Sequence, residues 1–135
     1  MIVAGNSLLV YFWLPSVFAE LAEAVKAQDD AWAAPVLWRA EFRNVLAGYL
    51  RKNLLTESEA SAAYLKVQKD LGANEFTVPA ERIIKLVRAS DCSAYDCEYV
   101  ALAQDLGVPL VTADKQLLKA FPKTAVSLEK FAKKK

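Results

Sequence analysis

The chain contains no histidine. That absence excludes Ser-His-Asp and Cys-His nucleophilic schemes and any histidine general base. It also makes a zinc centre of the usual nitrogen and sulfur ligands very hard to build. Any catalysis must rest on carboxylates, alone or with a hard metal ion. Cysteine is almost as scarce, with only Cys92 and Cys97. On one helix that spacing puts the two on different faces, so neither a disulfide nor a metal clip is expected, and both read as small, reduced, partly buried hydrophobes. Net charge is lacking too: 17 basic against 16 acidic residues leave +1, so no global field advertises nucleic acid. Four glycines and five prolines in 135 residues, with 55% hydrophobic residues, argue against disorder. No apolar run approaches the roughly 18–20 residues of a membrane span. The run from Leu8 to Leu14 has no basic residue before it, so a signal peptide is not expected and the cytoplasm is. The basic end, "EKFAKKK", reads as a frayed, solvated terminus.

What is present alternates. Met1 to Ala4 is a short apolar strand, and a helix is expected after Asn6 or Ser7, both good caps. Pro15-Ser16 restarts a helix running to about Gln28, and "AWAAP" (Ala31 to Pro35) reads as a buried strand. "VLWRAEFRNVLAGYLRKN" is strongly helical, with Trp38, Phe42, Val45 and Tyr49 on one face and Leu37, Glu41, Asn44 and Gly48 on a second. Thr56 and Glu59 form a capping box for a helix ending near Gly72. "EFTV" reads as a strand, with Pro79 where a helix begins. Ser93 caps "SAYDCEYVALAQDLG", which Gly107 stops. "VPLVTA" (Val108 to Ala113) is an apolar strand, followed by the helix "DKQLLKAF", a strand "AVSL" and a basic terminal helix. Apolar strands alternating with helices predict one α/β domain over residues 1–135, with a mainly parallel sheet covered on both faces. Ligands in such sheets bind beyond the carboxyl ends of the strands.

Three acids stand out by position. Asp114 directly follows the apolar strand, at the carboxyl edge of the sheet, where it also suits an N-cap. Asp96 lies three residues past Ser93, in the first turn of its helix, where the dipole favours a negative charge. Glu41 shares a helix face with Leu37, Val45 and Gly48, where a bare carboxylate is costly to bury. It needs an arginine such as Arg39 or Arg43, or a polar cavity; neighbours in sequence point apart, which favours the cavity and a cation. An acid-lined pocket without histidine suits Mg²⁺ or Mn²⁺. Such an ion generates hydroxide and steadies an in-line phosphoryl displacement, so phosphodiester hydrolysis is the natural expectation.

The opening "MIVAGNSLLV", the helix "LWRAEFRNVL", the segment "SAYDCEYVALA" and "LVTADKQLLKAFP", in this order, resemble the PIN-domain family over nearly the whole length, and within it the small VapC-type toxin ribonucleases. The resemblance implies an α/β/α sandwich with a parallel sheet and an acidic site binding Mg²⁺ or Mn²⁺. It implies that Glu41, Asp96 and Asp114 are the family's catalytic acids and metal ligands, Glu41 through water. It places Asn44 beside Glu41, makes Thr112 a supporting hydroxyl, and matches Ser7 to the polar residue of the opening motif. The implied partners are an RNA substrate, a small antitoxin protein crossing the acidic site, and a second copy of the chain in a homodimer. Arg39, Arg43, Arg51, Lys52 and Lys115 are candidate RNA contacts, and the triplet Tyr11, Phe12 and Trp13 suits either an interface or the core.

One position departs from the pattern. The family ends its first strand with an aspartate, and Gly5 stands there. Asn6 is not expected to replace it, because successive strand residues point to opposite sides. Losing a partner of a metal ligand typically costs ~10–100-fold in affinity or activity, and losing a ligand costs at least as much. The chain is therefore expected to be an impaired or inactive nuclease. The alternative is a degenerate PIN domain that binds RNA or protein without cutting.

Overall fold

The computed structural model describes residues 1–134, so the last lysine of the basic end lies outside it. Five strands form one sheet: β1 (Ile2–Ala4), β2 (Trp32–Pro35), β3 (Glu75–Phe76), β4 (Leu110–Val111) and β5 (Ala125–Val126). Their order is β3-β2-β1-β4-β5, and every pairing is parallel. Val3 pairs with Ala33 on one side and Leu110 on the other, which places β1 at the centre.

Strand alternation divides the core. Ile2, Ala4, Trp32 and Ala34 pack into one hydrophobic cluster, Val3 and Ala33 into a second on the opposite face. The first cluster receives α1 (Asn6–Trp13), α2 (Ala19–Gln28), α3 (Trp38–Arg51), α4 (Glu57–Leu71) and α8 (Leu128–Ala132). The second is covered by α5 (Ala80–Arg88), α6 (Ala94–Leu106) and α7 (Lys115–Ala120). With both faces covered, every residue of β1, β2 and β4 is buried. Tyr11, Phe12 and Trp13 are half-buried against the first cluster, so the triplet serves the core.

Several boundaries follow from local chemistry. The Thr56 hydroxyl accepts from the Glu59 N–H and the Glu59 carboxylate from the Thr56 N–H, the capping box that opens α4. Gly107, in the left-handed region at φ 68°, closes α6. Strands are shorter than their apolar runs: "VPLVTA" contributes only Leu110 and Val111 to ladder pairing, because Ala113 and Asp114 turn toward α7. The turn after Pro15-Ser16 falls at Val17 and Phe18, and α2 starts only at Ala19.

The sheet order reverses between β1 and β4, since the chain leaves β1 toward β2 and β3 and returns to β4 on the other flank. The carboxyl ends of β1 and β4 therefore open a crevice at the topological switch point.

Candidate active site

At the end of β1 the chain passes through Gly5 into α1. Gly5 has extended dihedrals (φ −65°, ψ 160°), which any residue adopts, and its N–H donates to the Val111 carbonyl at 3.0 Å. Space constrains it more than conformation: a Cβ there would lie 3.1 Å from Thr112 Cβ, Thr112 Oγ1 and the Val111 carbonyl oxygen. Neither Asn6 nor Ser7 caps α1, whose N-cap is Gly5 without a side-chain bond. The Ser7 hydroxyl instead accepts from the Ala113 N–H at 3.0 Å, tying the end of β1 to the end of β4. Thr112 is buried, and its hydroxyl accepts from the Asp114 N–H at 3.1 Å. Asp114 caps α7 through the Leu117 N–H. These bonds hold Asp114 at the mouth of the crevice.

Glu41 comes from the first turn of α3 and Asp96 from the first turn of α6, beside its cap Ser93. With Asp114, both carboxylates lie near helix N-termini, whose partial positive charge favours them. The three acids line one cavity of about 220 Å³, together with Gly5, Asn6, Ser7, Tyr99, Leu110, Thr112 and Leu117. The structure thus brings together six sequence-predicted positions: Gly5, Ser7, Glu41, Asp96, Thr112 and Asp114. It does not bring in Asn44, which is exposed on the outer side of α3 and does not line the cavity. Glu41 pairs with neither Arg39 nor Arg43. Arg39 makes a two-bond ion pair with Glu75 at 2.6 and 2.7 Å, and Arg43 reaches the Tyr64 hydroxyl.

Sequence reasoning missed two residues. Tyr99 is buried and donates its phenolic O–H to Glu41 Oε1 at 2.7 Å across 58 residues of chain. The available signal was its place three residues after Asp96, on the same face of α6. Asn6 lines the cavity, contrary to the expectation from strand alternation, because it is the first residue of α1 and no longer part of the strand.

Electrostatics mark the cavity as an acidic field. Burial pushes the Glu41 carboxyl up, the Tyr99 bond opposes that shift, and the Asp96 charge adds to it. Asp96 is also raised, first by burial and then by the neighbouring Asp114. Glu98, half-buried on α6, is raised by burial and by Glu41. The Tyr99 phenol is pushed well up by burial and the surrounding carboxylates, so it stays a donor. Perturbed carboxyls gathered in a cleft are the usual mark of a functional site.

The donors facing the cavity are all oxygens, a set that suits a hard cation. Among the described residues no three acidic or sulfur side chains converge closely enough to hold a metal between them. Mg²⁺ takes one or two protein carboxylates and keeps several waters, and Asp96 and Asp114, close enough that the Asp114 charge raises Asp96, have the chemistry to fit it. Cys92 and Cys97 are free and buried, their thiols are pushed up by burial and further by the nearby Asp96 charge, and neither lines the cavity.

A parallel α/β sheet with carboxylates gathered at its switch point defines a class of acid-site hydrolases and binding domains. Residues 6–123 match the sequence profile of the PIN domain, and the chain belongs to that family. It is 29% identical over 124 residues to "Ribonuclease VapC3" of Pyrobaculum aerophilum, covering 90% of this chain and 95% of that one. Its fold is similar to the crystal structure of PAE2754 from the same organism (TM-score 0.76, 22% identity, 97% and 92% of the two chains). It is also similar to a toxin-antitoxin complex from Klebsiella pneumoniae (TM-score 0.67, 16% identity, 95% and 98%).

Proposed function

We propose that the protein is a metal-dependent endoribonuclease of the VapC type, the toxin of a toxin–antitoxin pair, with activity impaired by Gly5. The observation that carries this is the cavity at the β1/β4 switch point, where Glu41 from α3, Asp96 from α6 and Asp114 from the N-cap of α7 face one space. Their order and placement suit PIN-type chemistry, and the similarity to VapC3 supports RNA as the substrate. Asp96 and Asp114 would hold Mg²⁺ or Mn²⁺, with Glu41 facing the same space. When bound, the ion supplies an activated water and charge neutralisation for an in-line displacement at phosphorus.

The chain's own groups do the rest. Tyr99 fixes the Glu41 carboxylate by its hydrogen bond, and Ser7 and Thr112 lock the loop that presents Asp114. Arg43, Arg51, Lys52 and Lys115 are exposed and available to phosphates. Two surfaces support the partners. The groove of about 700 Å³ between α3 and α4, with Leu65 61% exposed, offers an apolar seat, and α5 presents exposed Ile84 and Val87. They suit the antitoxin and a second copy of the chain. No helix among the described residues is long and apolar enough to cross a membrane, and the proposed site of action is the cytoplasm.

The test is cleavage of a structured RNA by the Gly5→Asp protein in Mn²⁺. Cleavage that chelator stops, and that Asp96→Asn or Asp114→Asn abolishes, supports the reading; intact RNA under every condition refutes it. The side-chain-free position 5 and the lack of three convergent acids favour a second reading, a PIN domain that binds RNA or protein without cutting. It requires binding indifferent to chelator and no gain from Gly5→Asp.

A further inference from the structure

The acidic cavity has little of its own with which to grip RNA. Its charged groups are Glu41, Asp96 and Asp114, which repel a phosphate backbone, and no described lysine or arginine lines it. Lys115, exposed directly after Asp114, brings one counter-charge to the rim. Bases are held by a different chemistry: each has a π-face, and an aromatic side chain stacks on it with little regard to sequence.

One aromatic ring stands at that rim. Tyr95 is 63% exposed and immediately precedes Asp96 in the first turn of α6. Phe18 is also exposed, but its ring packs on Tyr11 at 4.7 Å between centroids. Tyr95 has no ring partner among the described residues. The helix period fixes the side on which it stands, since Tyr95, Glu98 and Tyr99 share one face of α6 at i, i+3 and i+4. Tyr99 donates to the Glu41 carboxylate at 2.7 Å, and the Glu98 carboxyl is pushed up by burial and then by the Glu41 charge. The face that carries Tyr95 is therefore the one turned toward Glu41.

The turn beneath the ring is pinned at several points. The Ser93 hydroxyl accepts from the Asp96 N–H at 3.1 Å, and the Ser93 carbonyl accepts from the Cys97 N–H at 3.0 Å. The Gln116 amide donates to the Asp91 carbonyl at 2.9 Å, which ties the approach to α6 to the helix capped by Asp114. Consecutive Cα atoms are about 3.8 Å apart, so the ring begins one residue from a carboxylate of the site. An exposed ring on so fixed a backbone needs little ordering when a base meets it.

Resting on the ribonuclease reading above, we infer that Tyr95 is a substrate-contact residue whose ring stacks on the unpaired base of a nucleotide flanking the scissile phosphate. The aromatic face carries the contact and the hydroxyl does not. The contact is equally good in the ground state and the transition state, so it sets KM and leaves kcat alone.

The experiment uses the full chain, a short fluorescein-labelled single-stranded RNA, and a ribose-phosphate oligomer of the same length without bases. Anisotropy in Mn²⁺ compares the parent with Tyr95→Ala and Tyr95→Phe, and the same two substitutions are placed in the Gly5→Asp protein for cleavage kinetics. Tyr95→Ala is expected to weaken RNA binding by about 10-fold or more, the scale for losing one stacked base. It raises KM of the Gly5→Asp protein by a similar factor with kcat unchanged, and it melts with the parent because the ring is exposed. Tyr95→Phe matches the parent in every assay, and on the baseless oligomer all three proteins bind alike. Parent-like RNA binding and KM in Tyr95→Ala overturn the inference and leave the ribonuclease reading standing. So does a Tyr95→Phe protein as weak as Tyr95→Ala, since the hydroxyl was then the contact. A loss of equal size on the baseless oligomer overturns it too, because the residue then acts on the backbone or on the fold. If the parent binds no RNA and the Gly5→Asp protein cuts none, the ribonuclease reading and the inference fall together.

Discussion

Placing an aspartate at position 5 is a perturbation whose cost and benefit the geometry separates. The backbone accepts it, since φ −65° and ψ 160° suit any residue. The space does not accept it freely: its Cβ meets Thr112 and the Val111 carbonyl at 3.1 Å, and the carbonyl belongs to a paired strand that cannot yield. Overpacking of this kind costs about 1–3 kcal/mol. Replacing a glycine at a compatible conformation returns about 0.4–1 kcal/mol through the unfolded chain. The net loss is therefore about 0–2.6 kcal/mol, centred near 1.3, before the new charge faces Asp96 and Asp114. At about 4 °C per kcal/mol for a chain of this size, Gly5→Asp should melt about 5 °C below the parent in chelator, and no more than about 10 °C below it. Saturating Mn²⁺, at about 100 times its dissociation constant, contributes about 2.7 kcal/mol and should reverse the deficit. Calorimetric melts with and without metal measure both parts. A variant as stable as the parent in chelator would show that Thr112 moves aside without cost. A variant that Mn²⁺ stabilises no more than it does the parent would show that position 5 does not address the metal.

Ser7→Ala removes the acceptor of the Ala113 N–H and should cost about 1–3 kcal/mol in urea unfolding; an unchanged midpoint would show that water takes over the bond. Tyr99→Phe deletes the one bond holding the Glu41 carboxylate down, so carboxyl NMR should find Glu41 titrating at higher pH than in the parent, and no movement refutes the positioning role. Folding raises the proton affinity of Glu41 and Asp96 above their ordinary 4.5 and 3.8, so the folded chain binds more protons than the unfolded one just above those values. Their contribution to stability is complete at low pH and is lost as pH rises through the raised values. In chelator, Asp96→Asn should therefore melt a few degrees above the parent at neutral pH and converge with it in acid; parallel curves would contradict the shift.

Much of this was legible because local rules act alone at the relevant positions. Thr56, Ser93 and Asp114 cap helices by side-chain chemistry that needs no tertiary information. The apolar strands announced a sheet covered on both faces, and Asp114 followed the strand that ends at the switch point. What escaped depends on contacts between distant segments. Tyr99 meets Glu41 across 58 residues, and its burial is set by both helices at once. Asn44 was placed beside Glu41 by helical spacing, but the face of α3 that carries it turns to solvent. Asn6 was assigned by a strand's period of two, which ends at Ala4. A phospho-acceptor domain of flavodoxin-like shape also gathers acids at strand ends, yet its order is 2-1-3-4-5, and only the observed β3-β2-β1-β4-β5 separates the two.

The most direct measurement compares initial rates of structured-RNA cleavage by the parent and the Gly5→Asp protein, side by side, in Mn²⁺ and in chelator. The account predicts that the aspartate protein cuts about 10-fold faster or more, the scale expected for regaining a metal ligand, and that chelator silences both. Equal rates, or cleavage that survives the chelator, would contradict a metal-dependent acid site weakened at position 5.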